Sequence, residues 1–250
     1  MTTGAFDVGL ARCNEPDEIL DETLRAIARE TRIPDQIFLV DHGDAPLSLA
    51  RQDALRDLVG SPGSPGSPES CEGALQILRP RRNLGCAGAW NLIHQYARDP
   101  VIILNADCAV APDTFERVLA YPAPAVVLAY GFGCFRIDRE IRDRIGDFDE
   151  TFYPVYWEDA DFRRRLRLAG ISVIEWPTEP VATIAPGREQ AMSGIIHGKH
   201  DPDGYQGWRG HRIAWFHACV EANRRYYLAK WGGDLGEETF QIPFNGAGWQ

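Results

Sequence analysis

The chain has 250 residues, 44% of them hydrophobic and 25% charged, with a net charge of −10. That length and composition suit one large globular domain or two small ones with a sizeable core, and the acidic balance argues against whole-chain nucleic-acid binding. No apolar run approaches the ~20 residues that a bilayer span needs.

The opening MTTGAFDVGL has no basic region leading into an apolar stretch, so no secretory signal is expected and the chain reads as cytoplasmic. The cysteines at 13, 71, 86, 108, 134 and 219 form no C-x-x-C pair, which favours reduced thiols over disulfides or a zinc site.

In chain order, FDVGLA (6–11) predicts a short buried strand. Ile19, Leu20, Leu24, Ile27 and Ala28 then recur at helical spacing, with Asn14 or Glu15 as cap and Pro16 in the first turn. QIFLVD (36–41) predicts a second strand, and Leu47, Ala50, Ala54 and Leu58 a second helix. SPGSPGSPES (61–70) carries no apolar area to bury and reads as a flexible exposed loop. ALQIL resumes the strand pattern, followed by the helix CAGAWNLIHQYA, the strand VIILNAD, the helix PDTFERVLA and the strand AVVLAYGF at 125–132. A last helix is expected over roughly 211–231, packed through Ile213, Phe216, Val220 and Tyr227.

Strands that alternate with helices and are apolar throughout predict a mostly parallel sheet covered on both faces. Ligands of such folds gather at the carboxyl ends of the strands. Three predicted strand ends are polar: LA-RCN, V-DHGD and LN-AD. They are expected to converge on one crevice, with Asp41 and Asp107 both following directly on apolar runs.

The usual nucleotide signatures are missing. LARCNEPD, between the first strand and helix, has no glycine for a dinucleotide fingerprint, and GIIHGKH (194–200) falls short of a P-loop. No G-x-S-x-G elbow is present. An acid at a strand end has another use. It holds Mg²⁺ or Mn²⁺, which prefers oxygen ligands and takes one or two carboxylates plus substrate phosphates. Asp107 suits that bridge.

The stretch GDFDETFYPVYWEDADFRRRLRLAG (146–170) supplies a candidate base. Its acids Glu158, Asp159 and Asp161 open a helix whose arginines lie toward the far end, as the helix dipole favours. Phe162, Leu166 and Ala169 would be the buried stripe. The aromatics Phe152, Tyr153, Tyr156 and Trp157 stand just ahead of the acids. Aromatic faces are platforms for sugar rings, and a carboxylate beside one can deprotonate a hydroxyl.

These pieces, taken in order, resemble the glycosyltransferases of family 2, over nearly the whole chain. VDHGD stands at the family's base-reading strand end. NLGCAGAWN resembles its N-x-G-x-x-x-A-x-N segment, and LNAD its D-x-D metal motif. GDFDETFYPVYWEDADFRRRLRLAG resembles its G-G-F-D-E and E-D-x-D stretch. An asparagine in the metal motif is closest to the rhamnosyltransferase-like branch.

The resemblance implies a GT-A (Rossmann-like) fold: a mostly parallel sheet flanked by helices, one domain with a C-terminal helical extension. It divides the chain into a nucleotide-binding half (1–120), an acceptor and catalytic half (121–185) and a C-terminal loop and helix (186–250). Asp41 would accept the N3–H of uracil or thymine, with Ala11 touching the same nucleoside. Asn14, Asn83, Asn91 and Asn105 would complete the donor contacts, and Asp107 would bind Mn²⁺ or Mg²⁺. Asp159 would be the general base, with Trp157 and Glu158 on the acceptor side.

The implied activity is inverting, metal-dependent transfer from a UDP- or dTDP-sugar to a saccharide or lipid-linked acceptor, with peripheral membrane association left open. Asn105 replaces the first acid of the metal motif. Thr183 stands where relatives carry a metal-associated histidine, leaving His197, His200, His211 and His217 as substitutes. Two other readings are carried forward. A non-catalytic sugar-nucleotide or glycan-binding module would bind donor and never release nucleotide. A nucleotidyltransferase would release pyrophosphate, but it needs a glycine-rich basic loop that LARCNEPD lacks.

Overall fold

The computed structural model describes residues 4–13, 17–60, 75–176 and 211–247. Asn14, the 61–70 stretch, Thr183, His197, His200 and the side chain of His211 lie outside the described residues.

Four strands, β1 (Asp7–Arg12), β2 (Gln36–Asp41), β3 (Leu75–Leu78) and β4 (Val101–Asn105), pair in parallel in the order β3-β2-β1-β4. Val8, Leu10, Leu39, Val40, Ile103 and Leu104 are all fully buried. Both sheet faces are covered, so the interiors of β1, β2 and β4 are runs without a polar residue instead of alternating, with polar residues confined to their ends. Helices α1 (Asp17–Ala28), α2 (Leu49–Gly60) and α4 (Thr114–Leu119) contribute Leu20, Leu24, Leu55 and Phe115 to the core on one face. On the other face α3 (Gly85–Tyr96) brings Ala87, Trp90 and Ile93. A Cβ at Gly9 would lie 2.2 Å from Ile93 Cγ2, so a glycine in β1 is what lets α3 close on the sheet.

Beyond α4 the structure departs from the expected pattern. The 125–132 run is not one strand. It supplies β5 (Val126–Leu128), then turns at Tyr130–Gly133, where Gly131 takes φ +55°, into β6 (Cys134–Ile137). β6 inserts antiparallel between β4 and β5 and gives the order β3-β2-β1-β4-β6-β5-β7, with β7 at Ile174–Glu175. Helix α5 (Arg139–Ile145), also unforeseen, follows.

Helix α6 (Glu158–Leu168) buries Phe162 and Leu166 completely, as its spacing predicts, while Ala169 is only its half-buried cap. The long α7 (His211–Trp231) packs Tyr227 and Trp231 around Phe152 in a small third core. Among the described residues no helix is long and apolar enough to cross a membrane, and Cys13, Cys86, Cys108, Cys134 and Cys219 stand outside any disulfide.

Candidate active site

The parallel register brings the polar strand ends together. Ala11 lies opposite Asn105 across β1 and β4, and Arg12 opposite Asp41 across β1 and β2. After β4 the chain turns through Ala106 and Asp107. Cys108 N–H donates to Asn105 O (3.0 Å), and Thr23 of α1 donates to Ala106 O (2.7 Å). The turn is therefore anchored at both ends, and Asp107 is held at 9% exposure.

Asp41 does not stand alone. Its Oδ1 accepts Arg12 Nη1 at 2.6 Å. Its Oδ2 accepts Leu47 N–H at 3.1 Å and lies 3.2 Å from Arg79 Nη1, which also donates to the Asp41 carbonyl at 3.0 Å. At 1% exposure, Asp41 is a buried anchor for two guanidinium groups. Next to it, His42 is pushed down to about 4. Burial is the main cause; Asp41 opposes it, and Arg79 and Arg12 add to it. The neutral ring then has a lone pair to offer, and its Nδ1 accepts Leu84 N–H at 3.2 Å. Arg12, His42 and Arg79 carry no weight in the sequence reading, because their partners sit 29 to 42 positions away.

The segment that opens α3 joins the two halves of the site. Asn83 Oδ1 accepts Gly85 N–H at 2.8 Å, and its Nδ2 meets Cys13 Sγ at 3.3 Å. Gly85 takes φ +69°, and a Cβ there would lie 2.6 Å from Pro154 O. Cys86 N–H donates to that same carbonyl at 2.8 Å. Asn91 sits deeper, at 5% exposure, and reads the backbone of the 146–152 loop. Its Nδ2 donates to Phe148 O (2.9 Å) and Glu150 Oε1 (3.0 Å), while its Oδ1 accepts Phe148 N–H (3.0 Å).

The acidic helix start is set by strain. Tyr156 and Trp157 take φ of 72° and 79°, unusual for large side chains and costing on the order of 1–3 kcal/mol each. Asn223 of α7 holds this turn by donating to the carbonyls of Val155 (3.1 Å) and Tyr156 (3.3 Å). Phe216 and Tyr227 of α7 pack against the rings of Tyr156 and Trp157, with centroids 6.0 and 5.1 Å apart. Tyr156 is half-buried in this turn. Burial raises its pKa first, and the charges of Cys86, Glu158, Asp107 and Asp159 raise it further. Asp107 from the end of β4 and Asp159 from the start of α6 thus act on one phenol. Asp159 is half-buried, and its Oδ1 accepts Ala160 N–H at 2.8 Å.

The acids of the W-E-D-A-D run do different work. Asp161 is fully buried, where it takes Trp231 Nε1 (2.9 Å), Lys230 Nζ (2.6 Å) and Arg165 Nε (2.9 Å). Lys230 also pairs with Asp149 at 2.7 Å. Burial pushes the Asp149 carboxyl up, but the Lys230 ammonium and Thr151 outweigh it and bring it to about 2. Glu158 is 3% exposed, and Trp157 lies on Tyr227, so both shape the loop from within.

Among the described residues no three His, Cys, Asp or Glu side chains gather as a metal cage. His217 is exposed, edge-on to Phe216, and Arg224 is engaged by Asp234. The donor set at the β4 end is one carboxylate and one amide oxygen, Asp107 and Asn105. That pair fits a hard divalent cation only when phosphate oxygens complete the shell.

Residues 8–123 match the family model for Glycosyl transferase family 2. The match takes in Ala11, Asp41, Asn83, Asn91, Asn105 and Asp107, and it stops short of Trp157, Glu158 and Asp159. No curated protein matches the chain. Among solved structures, a mannosyltransferase from Pyrobaculum calidifontis in complex with GDP-Man and Mn²⁺ is 18% identical with a TM-score of 0.56, covering 94% of this chain and 78% of its own. GalNAc-T7 with UDP, GalNAc and Mn²⁺ is 16% identical with a TM-score of 0.53, over 68% of this chain. The chain spans 41% of that second structure. The architecture is the GT-A type of α/β domain.

Proposed function

We propose that this chain is a glycosyltransferase that moves a sugar from a nucleoside-diphosphate donor to a hydroxyl acceptor with inversion at the anomeric carbon. The observation that carries the reading is the shared environment of Tyr156. The opening of α3 ties the strand ends to the 152–157 loop, since Asn83 meets Cys13 and both Gly85 and Cys86 meet Pro154 O, and Asp107 and Asp159 both raise the Tyr156 pKa, which supports a metal-side carboxylate and a candidate base bordering one space. The family match over residues 8–123 supports the same class, as do the nucleotide-sugar and Mn²⁺ complexes of the two structural neighbours.

In this reading Asp159 takes the proton from the acceptor hydroxyl while that oxygen attacks the anomeric carbon. The C–O bond to the diphosphate breaks on the opposite face, and a single displacement gives inversion. Asp107 and Asn105 would hold Mn²⁺ or Mg²⁺ together with the diphosphate; the cation supplies charge neutralisation for the leaving phosphate. Asn83 and Ala11 lie toward the nucleoside. Asn91 serves the site through the Phe148 backbone. Asp41, buried against both guanidinium groups, presents Arg12 and Arg79 to the nucleotide.

The family resemblance implies a UDP- or dTDP-sugar donor, through Asp41 at the base-reading strand end, and a saccharide or lipid-linked acceptor, and Asn105 in the metal motif points to the rhamnosyltransferase-like branch. The same resemblance divides the chain into a nucleotide half and an acceptor half, and the scattered cysteines, with no C-x-x-C pair, suit a cytoplasmic setting.

Asp159→Asn tests the mechanism. It should keep donor affinity and lose at least about a hundredfold in turnover. Near-normal turnover removes Asp159 from the role. Free nucleoside diphosphate as the product separates sugar transfer from nucleotidyl transfer, which would yield pyrophosphate. A thermal-shift panel of UDP-, dTDP- and GDP-sugars with and without Mn²⁺ identifies the donor, since a bound ligand stabilises the native state.

A further inference from the structure

The 152–157 loop presents two tyrosines, and only Tyr156 belongs to the reacting end. Tyr153 points to the other half. Its ring lies against the start of α3, where a Cβ on Gly85 would come within 3.0 Å of Tyr153 Cδ2. Gly85 is tied to Asn83, and Asn83 to Cys13 at the end of β1. The electrostatic surroundings of the hydroxyl agree with this placement. After burial, the groups that act on it are Cys13, Cys219, Arg82 and Asp44. Three of these four stand at the carboxyl ends of β1, β2 and β3, and the fourth lies on α7.

Tyr153 nevertheless remains 37% exposed, and Trp215 of α7, 42% exposed, meets it edge-on at 6.4 Å and 67°. Two large exposed rings from distant parts of the chain, set against each other over polar strand ends, are costly as bare surface. They suit a flat π-faced ligand.

We propose that Tyr153, propped edge-on by Trp215, is the face on which the donor's nucleobase stacks, which makes the 152–157 loop part of the nucleotide site as well as of the acceptor side. The inference rests on the glycosyltransferase reading and deepens it. Asp41 is buried against Arg12, Arg79 and the Leu47 N–H, and the His42 ring beside it is buried too, so among the described residues the strand ends offer arginine N–H groups to the edge of a base and no exposed ring to its face. Tyr153 supplies the ring. Its position three residues before Tyr156 lets one short loop address the base with the first tyrosine and the sugar end with the second.

The test is nucleotide affinity, measured by calorimetry with UDP, dTDP and GDP in the presence of Mn²⁺, on the whole chain. Tyr153→Leu should bind the preferred nucleoside diphosphate about fivefold to a hundredfold more weakly, the range for removal of one base-stacking ring. Tyr153→Phe should bind like the unmodified protein, because the ring and not the hydroxyl does the stacking. Both variants should keep the acceptor KM and the melting temperature of the unliganded protein, since the ring is part-exposed. Unchanged nucleotide affinity in Tyr153→Leu overturns the inference, and so does a rise confined to the acceptor KM. If the unmodified protein binds none of the three nucleotides, the glycosyltransferase reading falls first and takes the inference with it.

Discussion

Replacing Asn91 with alanine separates two accounts of one residue. The resemblance places Asn91 among the donor contacts, whereas the structure spends its amide on protein. Three hydrogen bonds, two of them to the backbone of Phe148, come from this side chain. Phe148 is 3% exposed, so its N–H and C=O would be stranded away from water. Each orphaned buried group costs about 1–3 kcal/mol, which predicts a loss of roughly 2–6 kcal/mol for Asn91→Ala. In a chain of this size that lowers the melting temperature by roughly 4–24 °C.

The damage should spread to catalysis through packing. Phe148 stacks on Phe162 at 4.4 Å and meets Trp90 at 4.9 Å, and Phe162 lies one turn beyond Asp159 on α6. Turnover should therefore fall while the donor KM moves little. Asn91→Asp should fare no better, since a carboxylate cannot donate to Phe148 O and stands close to Glu150. Urea unfolding with a free m-value, paired with steady-state kinetics, reads both effects. A variant as stable as the parent but with a donor KM raised several-fold would refute the structural account and return Asn91 to the donor.

Two further outcomes follow from buried charge. Glu30 is buried beside Phe115 N–H, and its pKa is raised to about 8, mainly by burial, with Asp113 and Glu116 adding to it. Between its ordinary 4.5 and about 8 the folded chain keeps a proton that the unfolded chain has released, so stability should fall as pH rises across that window. Glu30→Gln should gain on the parent by up to on the order of 4 kcal/mol at pH 9 and by little at pH 4, as measured by urea unfolding; a gain independent of pH would refute this. Lys230→Met should cost about 3–5 kcal/mol, because it leaves Asp161 and Asp149 short of their shared cation. The depressed Asp149 carboxyl contributes stability above its ordinary 3.8 and loses it toward pH 2, so acid unfolding should begin at higher pH in the variant. An unmoved acid midpoint would count against the pair.

As far as α4, and again at α6 and α7, the sequence alone determined the local order: which runs are strands, which are helices, and that polar residues close the strands. β2 and α3 fall almost where the apolar runs place them, because burial on both faces of a sheet or on one stripe of a helix leaves its mark on neighbouring residues. The acids of Glu158–Asp161 were equally legible as a helix start. Only the tertiary structure decided what each polar residue does. The antiparallel insertion of β6 depends on pairing with β4 some thirty positions earlier. Asp41 became an anchor for Arg12 and Arg79, Asn91 a clamp on Phe148, and Asp161 the partner of Lys230 and Trp231. The strained turn that aims Tyr156 is held by Asn223, 67 positions away. Periodicity records whether a side chain is buried, but the identity of a hydrogen-bond partner depends on chain closure over distances that no local pattern encodes.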